Sequence, residues 1–338
     1  MIVEMNAGST KGELDDVVFR AEALGLRVQL NIGTDKTVVA LLGSNTGQIS
    51  TDVFAVLPGV ESVTRIMKPY KLASRTFRPQ NSIVKVGGVK IGGQRLVMMA
   101  GPCAVESEAQ IMETARLVKE AGADILRGGA FKPRTSPFSF QGLEKEGLEM
   151  LARARERFDI PVITEVVDPH DVDLVAEYAD ILQVGARNMQ NFALLKSVGR
   201  CRCPVLLKRG LSATVTEWLT AADYILASGN EQVILCERGI RTFEDSVRFS
   251  LDICALPVIK KYSHLPLIVD PSHAAGQAYL VPAISRAAIA GGADGLIIEV
   301  HPNPKEALVD GLQSLLPADF ARLVGDLKRL TGVLGRDL

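Results

Sequence analysis

From about residue 95 onward, short apolar runs alternate with longer stretches of helical periodicity. LVMMAG, ADILRG, PVITEV, ILQVGA, PVLLKRG, VILCERG, PLIVDPS and GLIIEV read as eight strands. The segments after them read as helices, among them SEAQIMETARLVKEAG, LEKEGLEMLARARERF, TVTEWLTAADYILASG, DSVRFSLDICAL and the terminal DFARLVGDLKRLTGVL. Strands that are apolar throughout are buried on both faces, which implies a parallel sheet. Gly122, Gly199, Gly229 and Gly292 fall where helices of this pattern should end, as left-handed caps. Eight such units predict a (β/α)8 TIM barrel. A doubly wound open sheet needs fewer strands and would not place polar residues at the ends of all of them.

Residues 1–67 follow another pattern. MIVEM is a strand, and STKGELDDVVFRAEALGL opens on a Ser/Thr cap with Leu14, Val17, Val18, Ala21 and Leu24 at helical spacing. RVQLNIG and TVVALLGS alternate as strands about a turn at Thr34-Asp35-Lys36. STDVFAVLPGV suggests a second helix and ESVTRIM a last strand. The order βαββαβ is that of a ferredoxin-like domain, which can serve as a regulatory module or a dimerisation unit. A Lys-, Arg- and Pro-rich linker, KPYKLASRTFRPQNS, follows. A hairpin over 82–93, around Gly87-Gly88, is then placed to plug the closed end of the barrel. The expected domains are 1–67 and 68–338.

Composition narrows the function. The chain has 338 residues, 47% of them hydrophobic, and a net charge of -1, so no overall field draws it to nucleic acid or membrane. RNA binding is also disfavoured by the lack of an aromatic recognition signature. No apolar stretch approaches the roughly 20 residues of a membrane span, and no signal peptide is evident, so a cytoplasmic location is expected. Five cysteines, one pair spaced as Cys201-x-Cys203, fit reduced thiols better than a disulfide scaffold.

The strand ends carry the chemistry. Cys103, Arg127, Glu165, Arg187, Lys208, Glu237 with Arg238, His273 and Glu299 all sit at or near them. In a barrel these ends share one mouth. Cys103, His273 and Glu299 come from strands one, seven and eight, adjacent in a closed barrel, and Asp310 lies in a loop that can return to them. A thiolate, an imidazole and two carboxylates suit one divalent Mn, Fe, Co or Zn ion better than Mg or Ca. Arg127, Lys132, Arg134, Arg187, Lys208, Arg209 and Arg238 surround the same mouth and imply ligands with several negative charges. Arg209 is the weakest member, because its neighbour Lys208 must point the other way. Lys208 could instead form a Schiff base, but its cationic surroundings favour an anion ligand. The loop Lys132-Pro133-Arg134-Thr135-Ser136-Pro137 is stiff and rich in donors, as a sugar-phosphate site would be.

AGPC, LRGGAFKPRTSPFSFQG, QVGARNMQNF, LLKRG, CERGIRTFE, VDPSHAAG and EVHPNP resemble the 3-deoxy-D-arabino-heptulosonate 7-phosphate (DAHP) synthases over residues 68–338. The N-terminal segment resembles the ferredoxin-like (ACT-like) regulatory extension of the type I beta subclass. The resemblance implies condensation of phosphoenolpyruvate with erythrose 4-phosphate, the first step of the shikimate pathway. It implies metal ligands Cys103, His273, Glu299 and Asp310, and phosphoenolpyruvate contacts at Arg127, Lys132, Arg187, Lys208 and Arg238. Arg134 and Thr135 would bind the aldose phosphate, Cys103, Lys132, His273 and Glu165 would serve the chemistry, and Glu165 and Glu237 would orient cations or water. It also implies feedback by Tyr or Phe and a homotetramer. Two alternatives remain: 3-deoxy-D-manno-octulosonate 8-phosphate synthase, which carries Lys-Ala-Asn-Arg where this chain has Lys132 to Thr135, and a non-catalytic anion-sensing barrel.

Overall fold

The computed structural model describes every residue except 34, 35, 44, 66–68, 133–135 and 137. The expected turn at 34–36, the boundary at 67/68 and most of the Lys-Pro-Arg-Thr loop fall there, wholly or in part. The chain forms two compact units: Met1–Gln80 with Tyr262–His264, and Asn81–Lys261 with Leu265–Leu338.

In the first unit β1 (Ile2–Met5), α1 (Lys11–Ala23), β2 (Arg27–Ile32), β3 (Thr37–Leu42), the single turn α2 (Asp52–Ala55) and β4 (Val60–Thr64) follow one another. The sheet order is β2-β3-β1-β4, with the β1–β3, β1–β4 and β2–β3 pairs antiparallel, the ferredoxin-like arrangement. Thr10 and Glu13 close a capping box that starts α1. Val17 and Ala21 of that helix pack with Val3, Met5, Val39, Leu41 and Phe54. Residues after β4 belong to the same unit: Asn31 Nδ2 donates to Phe77 O at 3.0 Å, and buried His264 contacts Leu72 O at 2.7 Å.

The second unit opens with a hairpin, β5 (Val84–Val86) and β6 (Val89–Ile91). The barrel strands are β7 (Val97–Gly101), β8 (Ile125–Arg127), β9 (Val162–Val166), β10 (Ile181–Val184), β11 (Val205–Lys208), β12 (Val233–Glu237), β13 (Leu267–Val269) and β14 (Gly295–Glu299). All pair in parallel, and β14 joins β7 to close the barrel. Val84, Val86 and Ile91 of the hairpin share one core with Val97, Ile125, Ile181 and Ile268, early residues of their strands, so the hairpin fills the N-terminal end.

Helices α3 (Glu108–Glu120), α4 (Glu144–Phe158), α5 (Val172–Tyr178), α6 (Phe192–Arg200), α7 (Val215–Ala227), α8 (Ala255–Tyr262), α9 (Pro271–Ala275), α10 (Val281–Ala290) and α11 (Pro317–Val333) complete the unit. Two expectations are corrected. Gly199 lies inside α6 rather than beyond it; an added Cβ would stand 2.5 Å from Ser228 Cβ, so its bareness serves the close approach of α6 to α7. The helix expected over DSVRFSLDICAL begins only at Ala255, because Asp252 Oδ1 accepts the Ala255 N–H at 3.1 Å while its other oxygen binds Arg209. Residues 241–254 remain an irregular loop beside the mouth. Among the described residues no helix is long and apolar enough to cross a membrane.

Candidate active site

The closed barrel delivers Arg127, Lys208, Glu237 and Glu299 as the last residues of four strands. Side chains alternate along a strand, so of two successive residues only one enters the barrel. Lys208 enters and Arg209 does not. Arg209 is buried on the helix side, donating to Glu237 Oε2 at 2.8 Å, Asp252 Oδ2 at 2.9 Å and Ala213 O at 2.9 Å. Its guanidinium lies 6.0 Å from the Trp218 ring. Glu237 therefore orients Arg209 and the Gly239 N–H, not a cation of the mouth. Burial raises the Glu237 pKa despite Arg209. Arg238, next along, turns inward.

Cys103, His273, Glu299 and Asp310 come together: one ligand atom from each lies within 4.8 Å of the others. His273 Nε2 is 3.4 Å from Glu299 Oε1 and 3.8 Å from Asp310 Oδ2, and Cys103 Sγ is 3.5 Å from Asp310 Oδ2. Asp310 itself holds a left-handed backbone, φ 55°, which a non-glycine residue adopts at a cost of order 1 kcal/mol.

Burial sets the electrostatics. It pushes the Cys103 thiol up to about 12, with Glu299 adding to the effect against Lys132 and Arg127. Burial also opposes the charge on Glu299, yet His273 and Arg127 outweigh it and hold that carboxyl down to about 2. For His273 burial prevails over Asp270 and Glu299, and the pKa falls. The result is a cluster of four ligand-type atoms with the imidazole favoured neutral. A divalent cation fits this donor set: it would compensate the carboxylates and displace the thiol proton.

Sequence reasoning passed over the residue that braces this cluster. Asp270, 1% exposed, follows β13 and caps α9, accepting the His273 N–H at 2.9 Å. Its other oxygen lies 2.7 Å from His273 Nδ1 and accepts from Lys208 Nζ at 2.5 Å. These neighbours hold the Asp270 carboxyl well below the usual carboxylate range, against the effect of burial. The carboxylate stands behind the imidazole while Nε2 faces Glu299 and Asp310, although His273 Nδ1 completes no hydrogen bond of good geometry among the described residues. The Asp-x-x-His spacing in VDPSH was the available signal. Gln313 and Arg248 were also missed. Gln313 donates to Glu299 Oε2 at 2.6 Å, and Arg248 donates to Gln313 Oε1 at 2.8 Å and Asp310 Oδ1 at 3.1 Å.

Beside the cluster lies a cavity of about 320 Å³. Arg127, Lys132, Glu165, Arg187, Lys208, Arg238, His273 and Asp310, all expected at the mouth, line it. Arg127 donates to Glu299, but its buried Nε has no partner among the described residues. Arg238, 4.0 Å over the Phe249 ring, likewise has a buried Nη1 with none. Burial lowers the Arg238 pKa. Buried donors left over in this way call for an acceptor from a ligand. Lys132 Nζ donates to Cys103 O and Cys103 Sγ, both at 3.1 Å. Burial opposes its charge, but Cys103 and Glu165 more than offset that and raise its pKa. Glu165 Oε2 accepts from Gln183 Nε2 at 3.3 Å. Arg134 and Thr135 lie outside the described residues, while Ser136 and Ser139 of the same loop reach the cavity wall. Cys201 and Cys203 are free thiols and belong to no ligand cluster among the described residues.

Comparison with known proteins agrees with this geometry. Residues 66–332 match the model of the DAHP synthetase I family, and residues 1–68 that of the DAHP synthase ferredoxin-like domain. Phospho-2-dehydro-3-deoxyheptonate aldolase of Thermotoga maritima is 50% identical over 335 residues, 99% of both chains. Its crystal structure superimposes with a TM-score of 0.80, covering 99% of this chain and 98% of that one. A 2-dehydro-3-deoxyphosphooctonate aldolase of Geobacter sulfurreducens is 34% identical over 270 residues, covering 74% of this chain and 98% of its own. The chain belongs to the DAHP synthetase I family and carries a DAHP synthase ferredoxin-like domain ahead of its barrel.

Proposed function

We propose that the barrel condenses phosphoenolpyruvate with erythrose 4-phosphate and water to give 3-deoxy-D-arabino-heptulosonate 7-phosphate and inorganic phosphate, the first committed step toward chorismate and the aromatic amino acids. The observation that carries this reading is the meeting of a four-donor cluster with a cavity whose buried Arg127 Nε and Arg238 Nη1 have no acceptor among the described residues. Cys103, His273, Glu299 and Asp310 would hold a divalent ion (Mn, Fe, Co or Zn by its donors), which would supply Lewis-acid polarisation of the aldose carbonyl. Arg127, Lys132, Arg187, Lys208 and Arg238 are assigned to the carboxylate and phosphate of phosphoenolpyruvate, whose charge they neutralise and whose C3 they aim. Arg134 and Thr135 are assigned to the aldose phosphate. C3 adds to the aldehyde carbon, water supplies the new oxygen at C2, and phosphate leaves with the bridging oxygen. Lys132 holds a proton for the aldehyde oxygen, and Glu165 takes one from the water.

The N-terminal unit is assigned feedback control by an aromatic amino acid, Tyr or Phe. Its ferredoxin-like family match and the place of the reaction at a pathway entry support this. The domain boundary is assigned to 67/68 by the meeting of the two family matches, with the linker to Gln80 packing in the first compact unit; the assembly is assigned as a homotetramer, and the site of action as the cytoplasm. Phosphate release from phosphoenolpyruvate tests the catalytic reading. Release should require erythrose 4-phosphate, stop with chelator and resume with added metal. Preferential turnover of arabinose 5-phosphate, or release without any aldose, would refute it. Removal of residues 1–68 should abolish sensitivity to Tyr and Phe; an equally sensitive truncated enzyme rules out the regulatory assignment.

A further inference from the structure

Behind the donor cluster, a buried pair outside the cavity joins the chain segments that carry three of the four ligands. Glu106 lies three residues after Cys103, in the loop between β7 and α3. His301 lies two residues after Glu299. Their side chains are 11% and 5% exposed, and His301 Nε2 stands 3.3 Å from Glu106 Oε2. The His301 ring is oriented from its other side, where Nδ1 accepts the Asn303 N–H at 3.0 Å. That bond leaves the ring proton on Nε2, directed at the carboxylate. The second oxygen of Glu106 accepts the Leu308 N–H at 2.8 Å, two residues before Asp310. The Glu106 N–H in turn donates to Gln110 Oε1 at 3.4 Å, and Gln110 Nε2 donates to Ala104 O at 3.2 Å, which ties the carboxylate's own loop to α3.

One carboxylate thus pins the start of the Asp310 loop and its far arm to the loop that holds Cys103. Among the described residues the same segments also meet where Cys103 Sγ lies 3.5 Å from Asp310 Oδ2 and where Glu299 pairs with Gly101. Val309 packs against Cys103 and Ala104, and the Val300 N–H donates to Gly101 O at 2.8 Å. Asp310 is held in a left-handed conformation within this loop, so its position depends on anchors on either side. Arg248 and Gln313 hold the side after it, and Glu106 holds the side before it.

We propose that the Glu106–His301 pair is a clamp that sets the spacing of Cys103, Glu299 and Asp310 and thereby tunes the affinity of the site for a divalent cation. Neither side chain lines the substrate cavity, so both are positioning residues, and the inference rests on the metal reading above. Partners one layer behind the ligands typically change metal affinity ten- to a hundred-fold when removed.

The test uses full-length protein stripped of metal and reloaded with Co(II), with Glu106→Ala, Glu106→Gln and His301→Gln beside the wild type. Three quantities are read: the Co(II) dissociation constant by chelator competition, the thiolate-to-cobalt absorption band, and the melting temperature of the metal-free protein. Glu106→Ala should weaken Co(II) binding by about ten- to a hundred-fold and alter the thiolate band. Glu106→Gln keeps an acceptor for Leu308 but loses the charge facing His301, and should fall between that variant and the wild type. His301→Gln should resemble Glu106→Gln. If all folded variants bind Co(II) within about twofold of the wild type, with an unchanged band and only a lower melting temperature, the pair is structural and the clamp is overturned. If Glu106→Ala does not fold, the Gln variants decide by the same criterion. A wild-type protein that shows no thiolate band sinks the metal reading, and the clamp with it; a normal wild-type band with unaffected variants sinks the clamp alone.

Discussion

His264 offers a measurable link between burial and pH. The ring is 3% exposed and meets Leu72 O at 2.7 Å within the first compact unit. Burial, helped by Arg78 and Arg75, lowers its pKa from 6.5 to about 4, against the raising effect of the Leu72 bond. The folded form therefore takes up a proton less readily than the unfolded form. The stabilisation is complete above the unfolded value and is lost as pH falls from 6.5 toward 4. Between pH 7 and pH 5 the two pKa values give a loss of about 2 kcal/mol. The perturbation is His264→Gln, which keeps a donor for Leu72 O but does not titrate. Hydrogen exchange of peptides spanning residues 70–80 reports opening of this unit directly, and dividing wild type by variant cancels the intrinsic pH dependence of exchange. The protection ratio should fall by about twenty-fold between pH 7 and pH 5. A ratio that stays flat over that range would show that His264 is solvated on the folded side of the transition, and the argument from burial would be wrong.

Three substitutions probe the barrel. Gly185→Ala would place a Cβ 2.1 Å from Glu165 Oε1, the mobile end of a side chain; kcat should drop at least tenfold while the melting temperature moves little, and unchanged steady-state kinetics would argue against a role for Glu165. Gly199→Ala drives a Cβ to 2.5 Å from Ser228 Cβ and 2.8 Å from Ile225 O; overpacking should cost about 1–3 kcal/mol in urea unfolding, with KM unaffected. Glu237→Gln removes one of two carboxylates from buried Arg209; a loss of about 3 kcal/mol is expected with both substrate KM values retained, and a selective rise in KM would return Glu237 to the substrate site.

The eight barrel strands were legible because each is an unbroken apolar run, and the donor cluster because its members end or follow strands one, seven and eight. Legibility failed where orientation depends on partners distant in sequence. Alternation along the strand marked Arg209 as the odd cation beside Lys208, but not its destination; β11 sends Lys208 inward and leaves Arg209 to Glu237 and Asp252. Arg248 sits in a segment with apolar residues at helical spacing, yet capture of Asp252 by Arg209 helps delay the helix to Ala255 and leaves Arg248 in the loop. Gln313 carries no signature by type or spacing, and only the return of its loop to Glu299 gives it a place. Asp270 was visible in the motif but was passed over in favour of the histidine beside it.

The hairpin packed under the barrel has a consequence for traffic. With Val84, Val86 and Ile91 seated among the first residues of the strands, the lower end offers no exit, and everything that enters from above must leave the same way.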